Sequence, residues 1–415
     1  MPAKWKKRYN PVPQLARIND ARNLSKDGTV SFRGIGIQED IETLISMIEF
    51  PSVANHLDHS ELIWSAISKK YEKLDSTNTL TGLNEEITRI NSRKTKIYSV
   101  ITSISASSNA LPSKIKTNLA TIHFYKKGIP RKFKDSRRKL EKTHQTNIPH
   151  TPDHYCWTRI EIEGKSPERA MQQALRELSF VRGVFATYTN FEMESSFWGS
   201  TNYSPINRIR TGGLHSIHDK SGEASVDTLW YDPDFKAGKQ FKPKNAPAWK
   251  KACFSMIRRI GKSNYPEQIS NALVLYANAF DESNQGTAFI KLWSALELMT
   301  TPSSPANYAD IVRRCSFMHA SGEYATQVLE HLREHRNGLV HRNESRGDPR
   351  IKCYQLQYYF RAAVHFYVQF GRKFSSLEEA NRFLDLPTDP LIIKRSMDHL
   401  RLALRYVTPE QDPTS

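Results

Sequence analysis

The sequence predicts a multidomain chain with a mixed α+β N-terminal half and an all-α C-terminal half. Its 415 residues suffice for about two or three domains, each with its own core. Alternating, strand-like segments are confined to the middle of the chain. From about residue 250 onward every strong apolar pattern has a helical period. The expected division is a mostly helical region over 1–110, an α+β region with a basic segment and a linker over 111–249, and a helical domain over 250–415.

Residues 1–35 are polar and basic without clear period and read as an arm or irregular strand region. Residues 38–50 place Ile41, Leu44, Ile45 and Ile48 on one helical face, and Pro51 stops that helix. A second helix is expected over 60–73, with Ser60 as N-cap. Residues 83–106 begin as helix and change to a Ser/Thr-rich β-type stretch. Residues 114–125 alternate apolar and polar, which suits one strand. Lys126–Lys142 carries nine Lys/Arg and two acids; it is either a solvated face or a dock for RNA phosphates, with Tyr125 and Phe133 available for stacking. A strand holding Trp157, Ile160 and Ile162 ends at Gly164, and Ser166-Pro167 opens a helix as N-cap and N1. Residues 207–231 read as a hairpin turning at Asp219-Lys220-Ser221-Gly222, and 233–249 as a linker. Helices are then expected near 267–280, 286–300, 306–320, 323–343, 350–372 and 389–406.

The balance of 60 Lys+Arg against 43 Asp+Glu gives a formal charge of +17, which favours a polyanionic partner such as nucleic acid. Cys156, Cys253, Cys315 and Cys353 are scattered, with no C-x-x-C spacing, so a disulfide framework or zinc ribbon is not expected. The charged N-terminus lacks an apolar stretch behind it, and no run is long and apolar enough for a membrane span. A cytoplasmic protein without membrane partners is expected.

The stretch with most chemistry is His331–His341, HLREHRNGLVH. On a helix Arg333, Asn337 and His341 are four apart and form one polar stripe, with Arg336 beside it. A guanidinium binds phosphate oxygens in a fork, an amide donates to phosphate or holds an imidazole tautomer, and an imidazole moves a proton near neutral pH. RNA cleavage by internal 2′-hydroxyl attack needs these functions: a base, charge neutralisation at phosphorus, and an acid for the leaving 5′-oxygen. No cofactor or metal is called for. The overlapping His331-x-x-Glu334-His335 has the look of a zinc-peptidase pattern, but no third ligand is evident and two arginines sit beside it. His56/His59 and His215/His218 lack partner clusters. Two Gly-Lys-Ser tripeptides, at 164–166 and 261–263, lack the preceding glycine of a P-loop.

RNGLVH, preceded by a helix carrying FIKLWSALELM, resembles the HEPN superfamily, and within it the Apea-like HEPN proteins of bacteria. The hallmark of that family is an Arg and a His with four to six residues between them, often with a polar residue after the Arg; here four intervene, and Asn337 fills that position. The resemblance covers roughly 266–373 and leaves residues 1–245 without a counterpart. It implies a HEPN-like helical bundle and a metal-independent endoribonuclease of antiphage defence or toxin type, acting on tRNA or other RNA. It also implies a homodimer in which two motif helices share a cleft, which Gly338 would suit by allowing close helix approach. Arg336, Asn337 and His341 would be catalytic. An acid at Glu297, bordering the Phe289/Leu292/Trp293/Leu296 face, would orient the Arg or His, or else only support packing. Arg333, Arg342, Arg346, Arg350 and Lys352 would hold RNA phosphates. The alternative from another class is a non-catalytic HEPN module that binds nucleic acid or a partner protein.

Overall fold

The computed structural model describes residues 1–34, 36–55, 57–144, 150–190, 205–233, 235–302, 307–342 and 348–407. The chain forms two compact units and passes between them repeatedly. Met1–Val100, Ile162–Gln173 and Ile217–Val226 make the first, and Ile101–Glu161, Ala174–Ser216 and Asp227–Ser415 the second. These units do not coincide with the boundaries expected at 110 and 249.

In the first unit, strand β1 (Lys4–Trp5) is followed by helix α1 (Val12–Ala21), strands β2 (Arg22–Leu24) and β3 (Val30–Phe32), helix α2 (Ile37–Met47), strand β4 (Ile48–Glu49) and helices α3 (His59–Ile67) and α4 (Ser76–Ser92). The antiparallel pairs are β1 with β4 and β2 with β3. Residues 1–35 are thus more regular than expected: Leu15 and Ile18, three apart, bury one face of α1. The chain ahead of Pro51 leaves the helix early, at Met47, and its last residues pair as β4. Asp58 rather than Ser60 caps α3, accepting from the Glu61 N–H at 3.2 Å. Asp75 and Asn78 cap α4 reciprocally. Ile18, Ile41, Leu44, Leu62, Ile63 and Leu83 belong to one buried cluster.

The middle of the chain supplies strands β5 (Lys96–Ile104), β6 (Lys114–Lys116) and β7 (Ala120–Tyr125), helix α5 (Arg131–Thr143), strand β8 (Cys156–Gly164), helix α6 (Pro167–Thr187) and strands β9 (Leu214–His218) and β10 (Trp230–Tyr231). They build a six-stranded sheet in the order β10-β9-β5-β8-β7-β6. The single strand expected over 114–125 is a hairpin, with Ile115 opposite Ile122. Thr117 breaks the run, because its Oγ1 accepts from the Ala120 N–H at 3.1 Å and holds the turn. The basic segment folds as α5 and buries Phe133, Ser136, Arg137 and Leu140 at helical spacing. Ser166 opens α6 as expected, its Oγ accepting from the Arg169 N–H at 3.3 Å. The turn after β9 forms where the sequence places it. Asp219 Oδ1 accepts from the Ser221 and Gly222 N–H groups at 2.8 and 3.0 Å, and Gly222 takes a φ of +103°.

The expected linker contains the start of helix α7 (Ala246–Ile260), capped by Asn245 Oδ1 on the Ala248 N–H at 3.0 Å. Helices α8 (Pro266–Asp281), α9 (Gln285–Thr300), α10 (Tyr308–Phe317), α11 (Gly322–Arg342), α12 (Pro349–Phe370), α13 (Leu377–Leu384) and α14 (Pro390–Val407) follow. The core of this bundle is α9, which packs against α8, α10, α11 and α12. Trp293, Phe289 and Leu296 on α9 are buried, as its spacing predicts. The C-terminal part of α6 reaches α8 across Gly183, where any Cβ would collide with the Leu273 carbonyl. Arg182 then pairs with Asp281 at 2.7 Å and donates to the Ile209 carbonyl at 3.0 Å. No helix among the described residues is long and apolar enough to cross a membrane.

Candidate functional site

The motif residues lie on α11, at the end that packs beside α9 and α12. Arg336 and Asn337 are half-buried, and His341 follows Asn337 by one helical turn. The side chains of His341 and Arg342, and all of Arg346, fall outside the described residues. The Arg336 guanidinium sits over the Tyr308 ring, 4.7 Å from its centroid, so the first turn of α10 supports it. Tyr308 in turn packs edge-on against Trp293 of α9, with ring centroids 6.3 Å apart. Arg336 Nη1 reaches Asn337 Oδ1 at 3.4 Å, a long contact that leaves most of its donor capacity unused. Among the described residues no carboxylate lies within 4.0 Å of this guanidinium.

Glu297 is half-buried on α9, at the border of the apolar face as its spacing predicts. Burial pushes its carboxyl above the ordinary range, and the field of Arg336 pulls it back. The two groups therefore feel each other without forming a contact ion pair. The structure thus brings Glu297, Arg336 and Asn337 together and adds Tyr308. Nothing in the sequence marks Tyr308, because it is one aromatic among 17 tyrosines and its role depends on how α10 docks.

The residues assigned to RNA phosphates are placed unequally. Arg333 is half-exposed and already pairs with Glu330, one turn earlier, at 2.7 Å. Arg350 lies in the first turn of α12, with its guanidinium 6.0 Å from the Tyr354 ring centre. Lys352 departs from the expected solvent-facing position. It is 7 % exposed, and its Nζ donates to His335 Nδ1 at 3.0 Å. Its helical register turns it towards α11, so a phosphate contact would require it to leave that partner.

His335 is buried with Lys352 and meets Phe289 edge-to-face, with centroids 4.9 Å apart. Burial, then the Lys352 ammonium, then His331 hold its imidazole down at about 4, so it is neutral near pH 7. Facing an ammonium, its Nδ1 is a hydrogen-bond acceptor rather than a metal ligand. Among the described residues no three His, Cys, Asp or Glu side chains come together as a metal-binding group. Gly338 is buried within this chain. Compared with known protein families, with curated proteins and with solved structures, the chain finds no match.

Proposed function

We propose that this protein is an endoribonuclease of the HEPN type that cuts RNA without a metal, through Arg336, Asn337 and His341. The observation that carries the reading is the Arg336 guanidinium, seated over Tyr308 and, among the described residues, without a contact carboxylate, on the helix that also bears Asn337 and His341. An arginine held in place but not neutralised is suited to the charge that develops on a pentacoordinate phosphorane. In this reading His341 takes the 2′-hydroxyl proton, the 2′-oxygen bonds to phosphorus, and the P–O5′ bond breaks. The proton passes to the leaving 5′-oxygen, through this His341 or the copy in a second protomer. The products are a 2′,3′-cyclic phosphate and a 5′-hydroxyl.

The reading includes a homodimer that pairs two α11 helices, a substrate such as tRNA, and a role in antiphage defence or as a toxin. Arg333, Arg342, Arg346 and Arg350 would guide the RNA backbone, and the formal charge of +17 favours such a partner. The discriminating experiment incubates the purified protein with tRNA and a single-stranded RNA, with and without EDTA, and identifies the product ends. Cleavage that survives chelation and leaves cyclic phosphate supports the reading; chelator-sensitive cleavage that leaves 5′-phosphate contradicts it.

A further inference from the structure

A cavity of about 760 Å³ opens within the second unit, between α5 and the segment that leads into β8. Its volume falls within the roughly 300–1,000 Å³ typical of small-ligand sites. Lys126 and Lys127 line it from the turn after β7, and Lys134 and Arg138 line it from one face of α5, four residues apart. All four are exposed, and none has a carboxylate within 4.0 Å among the described residues. Of the two acids in the lining, Glu141 is engaged by Arg137 at 2.9 Å, which leaves Asp153 against four cations. The half-buried rings of Tyr125 and Trp157 also line the space.

Both walls are fixed without a ligand. On the α5 side, Arg137 is 1 % exposed and donates to the Ile101 carbonyl, Ser216 Oγ and the Leu214 carbonyl at 3.0, 2.9 and 3.2 Å. Its guanidinium also lies 5.2 Å from the Trp157 ring centre and so fixes that ring. On the opposite side, the His154 imidazole donates to the Gly238 carbonyl at 2.8 Å, and Tyr155 Oη accepts from the Gly238 N–H at 2.8 Å. Gln240 Nε2 donates to the His154 carbonyl at 2.6 Å. A rigid cleft spends little ordering entropy when a ligand enters.

We propose that this cleft binds a nucleotide unit, with phosphate on Lys126, Lys127, Lys134 and Arg138 and the base against Tyr125 and Trp157. Unpaired cations at one edge with fixed aromatic faces beside them match a phosphate ester that carries a planar ring. The unit arrives either as a free nucleotide or as part of a single-stranded RNA. The inference does not rest on the reading of α11, since the cleft is built from other elements.

The test titrates the full-length protein with ATP, with tripolyphosphate and with a 2′-O-methyl uridine octamer, which 2′-hydroxyl attack cannot cut. Lys134→Glu/Arg138→Glu is compared with wild type by calorimetry at two salt concentrations, after both are shown to melt alike. ATP binding that weakens by about tenfold or more in the variant supports a free nucleotide. Octamer binding without ATP binding, with the same weakening and a salt slope reduced by about two, supports an RNA strand. If charge reversal disturbs α5, Lys134→Ala/Arg138→Ala gives the same readout. Binding of neither probe, binding unchanged in the variant, or tripolyphosphate binding as tight as ATP overturns the proposal.

Discussion

Replacing Arg137 by Met removes the only charged side chain of α5 that is buried among the described residues. The size of the effect follows from what the guanidinium touches. Its pair with Glu141 contributes little, because Glu141 is 39 % exposed and water screens it; this part is worth about 1 kcal/mol or less. The larger loss is the donors to Ile101, Leu214 and Ser216 inside the sheet, at about 1 kcal/mol each where other partners remain. Met recovers most of the volume and none of the hydrogen bonds, so the net loss is roughly 3 kcal/mol. In a unit of this size that lowers the thermal midpoint by about 5 °C. Glu141→Gln should lower it by no more than about 2 °C. Differential scanning calorimetry of the three proteins side by side measures this. If Arg137→Met melts with Glu141→Gln, Arg137 is a solvated member of the basic run and the account of α5 is wrong.

Other outcomes follow from the same geometry. Arg336→Ala should lower RNA cleavage by about a hundredfold or more while costing only about 1 kcal/mol of stability, the size of its ring contact; Lys at 336 should rescue poorly, as measured by initial rates. His335 should make stability fall with acid. Its folded value of about 4 lies below the ordinary 6.5, so its contribution is complete above 6.5 and is lost as pH falls towards 4. Between about pH 7.5 and pH 5 wild type should lose roughly 2 kcal/mol more than His335→Leu in denaturant titrations, and parallel pH profiles would refute the assignment. Val340 is 44 % exposed beside His341, so Val340→Glu should weaken dimerisation and cleavage together in sedimentation and rate assays. A monomeric, fully active protein would rule out the paired site. Gly338→Leu should lower the melting temperature, because added volume at a buried helix position costs about 1–3 kcal/mol.

Local signals were legible and long-range ones were not. Ser166-Pro167 announces α6, Asp219–Gly222 announces its turn, and the spacing of Phe289, Leu292, Trp293 and Leu296 announces the buried face of α9, because each depends on neighbours within a few residues. The hairpin hidden in 114–125 was missed because a Thr117 side chain, not a Gly or Pro, makes the break. Charge misled in the same way at two positions. Arg137 and Lys352 look like surface cations in sequence, yet their partners lie 77 and 17 residues away and both are buried. The stripe of Arg333, Asn337 and His341 follows from helical geometry alone. The seat of Arg336 over Tyr308 depends on the docking of α10 and could not be read from spacing.

The central claim is that α11 carries a catalytic proton-transfer group, and His341→Ala tests it most directly. The variant should be purified, shown to melt like wild type, and assayed on the RNA that wild type cuts best. Removal of a proton-transfer group predicts a rate lower by about a hundredfold or more, with RNA affinity within a few-fold of wild type. If Arg336 and His341 act as a unit, the double variant should be hardly slower than either single one. Cleavage by folded His341→Ala within a few-fold of wild type would contradict the account and favour a nucleic-acid-binding module without catalysis.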